Sequence, residues 1–144
     1  MISRFAALIV LLAPLLGASA AHAQNADGTW LTQAGDARVK ISKCGGGICG
    51  HIVWLREPYD TSTGQPATDN KNPNPALARR PMIGLPLFSG MEPSGPSRWS
   101  GQIYNADDGS TYASSISLTS ADSLRVEGCV GALCGGETWT RTGR

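Results

Sequence analysis

Apolar side chains recur at every second position in many short stretches of the chain, and clusters of Gly, Asn, Asp and Ser separate these stretches. A period of two is typical of β-strands that bury one face. A helical period over three turns is missing, although the segment 75–80 favours a single helical turn after Asn72-Pro73-Asn74. The pattern therefore predicts about eight strands, at 28–33, 37–42, 50–55, 82–88, 98–104, 111–118, 123–128 and 137–141.

The predicted strands are joined mainly by tight turns, which favour antiparallel neighbours. We therefore predict an all-β fold in which eight antiparallel strands form a single up-and-down β-barrel. A barrel is favoured over a sandwich because closure removes the exposed edges. Within 111–118, the apolar face of Tyr112, Ile116 and Leu118 is favoured as the inner one over the smaller residues between them. Large inner side chains fill a barrel of eight strands, so any cavity is expected to be small.

The first 23 residues have the features of an export signal. Arg4 precedes the apolar run FAALIVLLAPLLG, and the sequence AHA at 21–23 has the small-x-small pattern that signal peptidase accepts. The run is too short to be a stable membrane span. We expect cleavage after Ala23, which leaves a barrel domain over 24–144 in the periplasm or secreted from the cell.

The charge balance narrows the range of partners. Of the 12 Lys and Arg residues only Arg4 falls in the predicted signal, and all 11 acidic residues follow it, so the expected mature chain is neutral. A basic stripe would indicate binding to nucleic acid, and none is present. Neither nucleic acid nor an anionic membrane is therefore an expected partner.

The four cysteines occur in two similar motifs, CGGGICGHIVW from Cys44 and CVGALCGGETW from Cys129. Zinc held by four thiolates is one alternative, but zinc sites usually space their cysteines by two to four residues and occur in reducing compartments. A thioredoxin-like redox site requires Cys-x-x-Cys at the start of a helix, whereas these cysteines flank Gly-rich turns. In an exported chain the motifs favour two disulfides and no metal.

The register of a β-hairpin predicts which cysteines pair. If each motif is a hairpin, Cys44 faces Cys49 and Cys129 faces Cys134. Pairing between the two motifs remains an alternative, since sequence alone does not determine connectivity. The predicted register sets Ile41 opposite Ile52, Val39 opposite Trp54, Val126 opposite Glu137 and Leu124 opposite Trp139.

The two ends of the predicted domain carry a further signal. Gly28-Thr29-Trp30 opens the first strand and Arg141 follows Trp139 in the last. This resembles lipocalins and their calycin relatives, in which a Gly-x-Trp and a late Arg close one end of the barrel. The resemblance implies that Arg141 lies on Trp30, a cation–π contact of roughly 0.5–2 kcal/mol.

Short motifs spread over almost the whole expected domain carry a narrower resemblance. They are Gly28-x-Trp30, Cys44 to Gly50 with Ile52-Val53-Trp54, Asp69-x-x-Asn72-Pro73, Arg79-Arg80-Pro81-x-Ile83-Gly84-Leu85, Gly101-x-Ile103-Tyr104, Asp108-Gly109-x-x-Tyr112, Leu124-x-Val126-x-Gly128-Cys129 and Thr138-Trp139-Thr140-Arg141. In these motifs the chain resembles the bacterial family known as domain of unknown function 2147. The resemblance implies a small exported protein with a lipocalin-like barrel, and it implies no established activity.

The segment 56–81 is the longest part of the chain without a strand pattern. Loops of this length in compact domains are usually functional or lid-like, so we expect it to lie across the open end of the barrel. Asp69 and Arg80 are interpreted as a bidentate ion pair that pins the loop to the barrel, with Asn72 forming an Asx turn into Pro73. Alternatively, Arg80 meets a carboxylate or phosphate on a ligand.

Other candidate binding residues follow from the predicted inner faces. Glu137 is aimed inward beside Trp139, where a carboxylate needs a partner or water. The candidate partners are Arg125, Arg141 and Tyr112, and an end of the barrel open to solvent is the alternative. The remaining aromatic side chains are expected to be core residues, with a ligand platform as the second interpretation, and they are Trp54, Trp99, Tyr104 and Tyr112.

The candidate chemistry favours binding over catalysis. The expected mature chain has one histidine, His51, with no Ser or free Cys predicted beside it. Asp107-Asp108 falls in a turn, where Asp is expected for backbone reasons. We therefore expect a non-catalytic periplasmic binding protein for a small amphipathic or apolar ligand, without a cofactor. The alternative is a protein-interaction or inhibitor module of the cell envelope with a solid-packed barrel.

Overall fold

The computed structural model describes residues 13, 14, 17 and 25–144. Nearly all of the predicted export signal, including its cleavage site, therefore lies outside the described residues. Residues 25–144 form eight strands and no helix. The strands are β1 (Gly28–Leu31), β2 (Ala37–Cys44), β3 (Gly47–Leu55), β4 (Pro86–Gly95), β5 (Arg98–Asn105), β6 (Ser110–Ser120), β7 (Ser123–Val130) and β8 (Leu133–Gly143).

Each strand pairs antiparallel with the next, and β8 pairs with β1, so the sheet closes into an up-and-down barrel. The predicted fold class is thus confirmed. Among the described residues, no helix has the length and apolar character needed to cross a bilayer. The barrel has two ends, which we name by what they contain. The closed end has the turns at 45–46, 96–97 and 121–122, and the open end has those at 32–36, 106–109 and 131–132 together with the long segment 56–85.

The hydrophobic core fills the half of the barrel next to the closed end. Alternation along each strand directs one set of side chains inward, and the innermost of these are almost completely buried. Phe88 lies against Gly50, where an added Cβ would stand 2.3 Å from the Phe88 ring. The buried cluster consists of Ala26, Trp30, Val39, Ile41, Ile48, Phe88, Met91, Ile116, Leu124, Val126 and Trp139.

Arg141 closes this end as the lipocalin resemblance implies. Its guanidinium carbon lies 4.3 Å from the centroid of the Trp30 ring. The same group donates to backbone carbonyls of Asn25 at 3.0 Å, Ala121 at 2.8 Å and Asp27. Burial lowers the pKa of Arg141 from its ordinary value. One side chain therefore ties the segment before β1 to the β6–β7 turn across the end of the barrel.

Both predicted disulfides are present, Cys44–Cys49 and Cys129–Cys134. In the second hairpin the predicted register is confirmed, since Cys129 pairs with Cys134, Val126 with Glu137 and Leu124 with Trp139. The two clamped hairpins point in opposite directions. The β2–β3 tip lies at the closed end, and the β7–β8 tip lies at the open end.

In the first hairpin the predicted register is wrong by two residues. Cys44 pairs with Gly47 rather than Cys49, and Ile41 and Val39 pair with Gly50 and Ile52. The reason is a two-residue turn at Gly45-Gly46, in which Gly45 has φ 58°, a conformation suited to tight hairpins. Three consecutive glycines allow the turn to form next to Cys44, so the disulfide joins residues that are diagonal in the ladder.

The fourth strand also differs from its prediction, 82–88. Residues 82–85 belong to the preceding loop, because Met82 donates to the Ala67 carbonyl at 2.9 Å and Gly84 to that of Ile52 at 2.7 Å. The strand runs on instead to Gly95, through a sequence with two prolines and no apolar alternation. Its pairing with both neighbours is irregular, and closure of the barrel, not its own sequence pattern, keeps it in the sheet.

Candidate functional site

The half of the barrel next to the open end contains a cavity of about 1020 Å³. Its wall consists mainly of inward apolar side chains, and exposed residues of the β7–β8 tip stand at its mouth. Leu133, on that tip, is 81% exposed. The apolar wall residues include Val39, Ile52, Leu87, Ile103, Val126 and Trp139. A cavity of this size is at the upper end of the range usual for small-molecule sites, so the expectation of a small cavity is wrong.

Two glycines occupy facing inward positions in the wall of the cavity; Tyr112 packs against the first, and the second faces open space. Gly128 of β7 pairs with Gly135 of β8, on the face that carries Val126 and Glu137 further along. A Cβ added at Gly135 would meet no heavy atom within 4 Å. The predicted inner face of β6 is confirmed, since Ile116 is buried and Tyr112 lines the cavity.

Glu137 is the inward carboxylate of the cavity wall, as its register predicts. The indole N–H of Trp139 donates to Oε1 of Glu137 at 2.6 Å. None of the three predicted partners reaches it. Arg125 contacts Glu127 on the outer face at 3.5 Å, Arg141 is at the closed end, and Tyr112 bonds elsewhere. Alternation explains the first of these, because residues next to the inward Val126 point outward.

Tyr112 stands on the wall beside Gly128 and reaches the rim of the cavity. Its hydroxyl donates to Oδ2 of Asp108 in the β5–β6 turn. This hydrogen bond is the main cause of a raised pKa of Tyr112 and of a lowered pKa of Asp108. One oxygen of the Asp108 carboxylate is thus bonded to Tyr112, and the other accepts a hydrogen bond from the Ser110 N–H at 2.8 Å.

A second polar cluster forms around Asp69, which is completely buried. Its Oδ1 accepts the Tyr104 hydroxyl at 2.6 Å, and its Oδ2 accepts Nε of Arg80 and Nδ2 of Asn72, both at 2.9 Å. The contact with Arg80 uses one N–H, so the predicted bidentate pair is wrong in that detail. Burial, and then the bond to Asp69, raise the pKa of Tyr104. Asn72 forms the predicted Asx turn by accepting the N–H of Asn74 at 2.9 Å.

The position of this cluster changes the interpretation of the segment 56–81. Residues 68–81 line no part of the cavity. They lie beside β5 and the β5–β6 turn, where a Cβ on Gly109 would stand 2.0 Å from the Lys71 carbonyl oxygen. Only Arg56, Glu57 and Ala67 of the segment reach the cavity. The segment 56–81 is therefore not a lid over the mouth but lies along one side of it, and we call this segment the strap. Arg80 belongs to the strap and does not point to a ligand in the cavity.

Two of the candidate aromatic residues lie away from the cavity. Trp99 packs against the core near the closed end. Trp54 lies on the outer face, where the guanidinium carbon of Arg38 is 4.6 Å from its ring centroid. Val39 pairs with Ile52, but the register then shifts and Arg38 pairs with Trp54. Because of this irregularity, Trp54 lies on the outer face, whereas the predicted register places it on the inner face. Tyr104, in the strap cluster, and Tyr112, on the wall, are the candidates near the mouth.

Several wall residues are absent from the sequence-based set of candidates. Leu87 and Ile103 are partly buried apolar residues of the wall. Alternation predicts that they point inward, but it does not distinguish a residue of the packed core from one that lines a cavity. Gly128 and Gly135 carry a usable signal, since a glycine in a strand interior marks a place without a packing side chain. Within 25–144, no group of three or more His, Cys, Asp or Glu side chains is placed to hold a metal ion.

A closed eight-stranded up-and-down barrel with a cavity open at one end is a lipocalin-like fold. A solved structure shares it: "Protein HP1028 from the human pathogen Helicobacter pylori belongs to the lipocalin family". The TM-score is 0.68 at 23% identity, over 82% of this chain and 83% of that chain. None of the curated proteins matches this sequence. A family model does match residues 28–141, and the chain therefore belongs to the family described as "Uncharacterized protein conserved in bacteria (DUF2147)".

Proposed function

We propose that the protein is a non-catalytic binding protein of the periplasm or the extracellular medium, and that it holds a small amphipathic or apolar molecule inside the barrel. The observation that carries the proposal is the cavity of about 1020 Å³ with apolar walls and one inward carboxylate. Sites of this composition, with few polar groups among many apolar ones, are typical of small-molecule pockets.

Two other observations support the proposal. The two disulfides are compatible with an oxidising compartment, as export requires. His51, the single histidine of residues 25–144, alternates with the inward Gly50 and Ile52 and so lies on the outer face, away from the cavity. The alternative, an interaction module with a solid-packed barrel, accounts for the closed half but not for the space in the open half.

The proposal is tested by asking what the protein carries when it is purified from its native compartment without detergent. Mass spectrometry of a solvent extract should find a small molecule in near-stoichiometric amount with the wild-type protein. The Gly135→Leu variant, whose new side chain would occupy the cavity, should carry little of it. Gly46→Leu is the matched control, because Gly46 also has open space around it but lies at the closed end. Equal amounts of the molecule with all three proteins would contradict the proposal.

A further inference from the structure

Glu137 has bonding capacity that no described residue uses. Its Oε1 is held by the indole of Trp139, and that bond orients the carboxylate on the cavity wall. Its Oε2 accepts no hydrogen bond within residues 25–144, and none of the ion pairs found there includes Glu137. An oriented carboxylate beside apolar walls favours a ligand group that brings both a donor and a positive charge.

Most of the other charged groups around the cavity are acidic, like Glu137. Arg56 is the one cationic side chain among the lining residues, and its guanidinium lies at the exposed rim, 3.4 Å from the Ala34 carbonyl oxygen. A cleft lined mainly by one sign of charge concentrates ions of the opposite sign and repels its own. The acidic residues of the lining are Asp36, Glu57, Asp107 and Glu137, together with Glu127, whose side chain turns to Arg125 on the outer face.

We infer that the ligand is an amphipathic cation, an apolar chain or ring that carries a protonated amine. The inference rests on the proposed function and names the ligand class of that same site. The amine donates to Oε2 of Glu137, and the apolar part lies against Leu87 and Ile103. A fatty acid of the same size would place its carboxylate against Glu137, where like charges repel and Arg56 at the rim offers the one compensating cation.

Three probes with one apolar chain separate the effect of charge from that of burial. These are dodecylamine, dodecanol and dodecanoate, each titrated by calorimetry below its micelle concentration near neutral pH. The amine should bind the wild-type protein about tenfold more tightly than the alcohol, which corresponds to one well-formed charge-assisted bond. The carboxylate should bind most weakly of the three.

The matched variants identify the residue responsible. Glu137→Gln keeps an oxygen that accepts from Trp139 but loses the charge, so it should weaken amine binding about tenfold and leave the alcohol unchanged. Glu92→Gln removes the same charge from an exposed position of β4 that does not line the cavity, and should leave all three affinities unchanged.

The outcomes distinguish this inference from the proposed function. If dodecanoate binds as tightly as the amine, or if Glu137→Gln leaves the amine-to-alcohol ratio unchanged, the cationic ligand class is wrong. In that case, binding of any probe that Gly135→Leu abolishes would still support the proposed function. If the wild-type protein binds none of the three probes, both statements fail.

Discussion

Arg141 and Trp30 are joined at the closed end of the barrel, with the guanidinium carbon of Arg141 4.3 Å from the centroid of the Trp30 ring. The indole N–H of Trp30 donates to the Ala26 carbonyl oxygen at 2.9 Å, so the ring is held from its edge as well as from its face. The two residues come from β1 and β8, which are adjacent only because the barrel closes. Their contact therefore stabilises the closure itself.

Arg141→Ala should lower the free energy of unfolding by about 2–4 kcal/mol. The loss combines the cation–π contact with three backbone carbonyls left without their donor. Urea denaturation measures it. Arg144→Ala is the control, because Arg144 is 71% exposed and contacts only the exposed Asp122, whereas the Arg141 side chain is 5% exposed. If the two variants both change stability by less than about half a kcal/mol, as ordinary surface substitutions do, Arg141 does not close the barrel.

Asp69→Ala should release the strap without unfolding the barrel. Asp69 is the common acceptor for Arg80 and Asn72 of the strap and for Tyr104 of β5, so its loss leaves the strap with few anchors. Hydrogen exchange should be faster in 60–75 than around Ile52 and Ile116 in the wild type, and faster still in the variant.

Asp60→Ala is the control for the strap. The Asp60 carboxylate accepts only the N–H and hydroxyl of Ser62 within the same turn. Its removal should change exchange locally and leave the segment around Asp69 protected. Global loss of protection in Asp69→Ala would place the strap in the folding core, and unchanged exchange there would show that Asp69 is not the anchor.

Stability should fall in alkaline solution as Tyr104 titrates. Burial raises the pKa of Tyr104 above its ordinary value of 10.0, so the folded state holds its proton where the unfolded state has lost it. The contribution of Tyr104 is therefore fully present below about pH 10 and is lost as the pH rises toward the folded pKa. Tyr104→Phe should make the decline of the unfolding free energy above pH 10 less steep in urea denaturation. An identical decline in both proteins would show that Tyr104 does not titrate in this range.

Much of the barrel follows from sequence because a period of two assigns each residue to a face. That rule places Ile116, Leu124 and Glu137 correctly, and it needs no knowledge of the neighbouring strands. It fails where the ladder is irregular. The shift between Arg38 and Val39 turns Trp54 outward, and no residue in that stretch signals a bulge before the partner strand is known.

The candidate site was less predictable, because a cavity depends on what several strands leave empty. Tyr112 is a large inward residue, so the sequence of β6 alone predicts a filled barrel. Gly128 and Gly135 face each other only in the folded ladder, where Tyr112 packs against Gly128 and the space beside Gly135 stays open. The partner of Glu137 differs from the predicted ones for a related reason, since Trp139 lies two residues away on the same face and its indole N–H satisfies the carboxylate without a cation.

If the space beside Gly135 is the binding site, a fluorescence titration with the neutral apolar probe N-phenyl-1-naphthylamine should detect it. Wild-type protein and Gly46→Leu should bind the probe with the same affinity and a strong increase in emission. Gly135→Leu should weaken binding at least about tenfold while the urea midpoint stays at or above that of the wild type, because the added side chain fills open space without strain. Equal affinity in all three proteins would show that the space beside Gly135 is not the binding site.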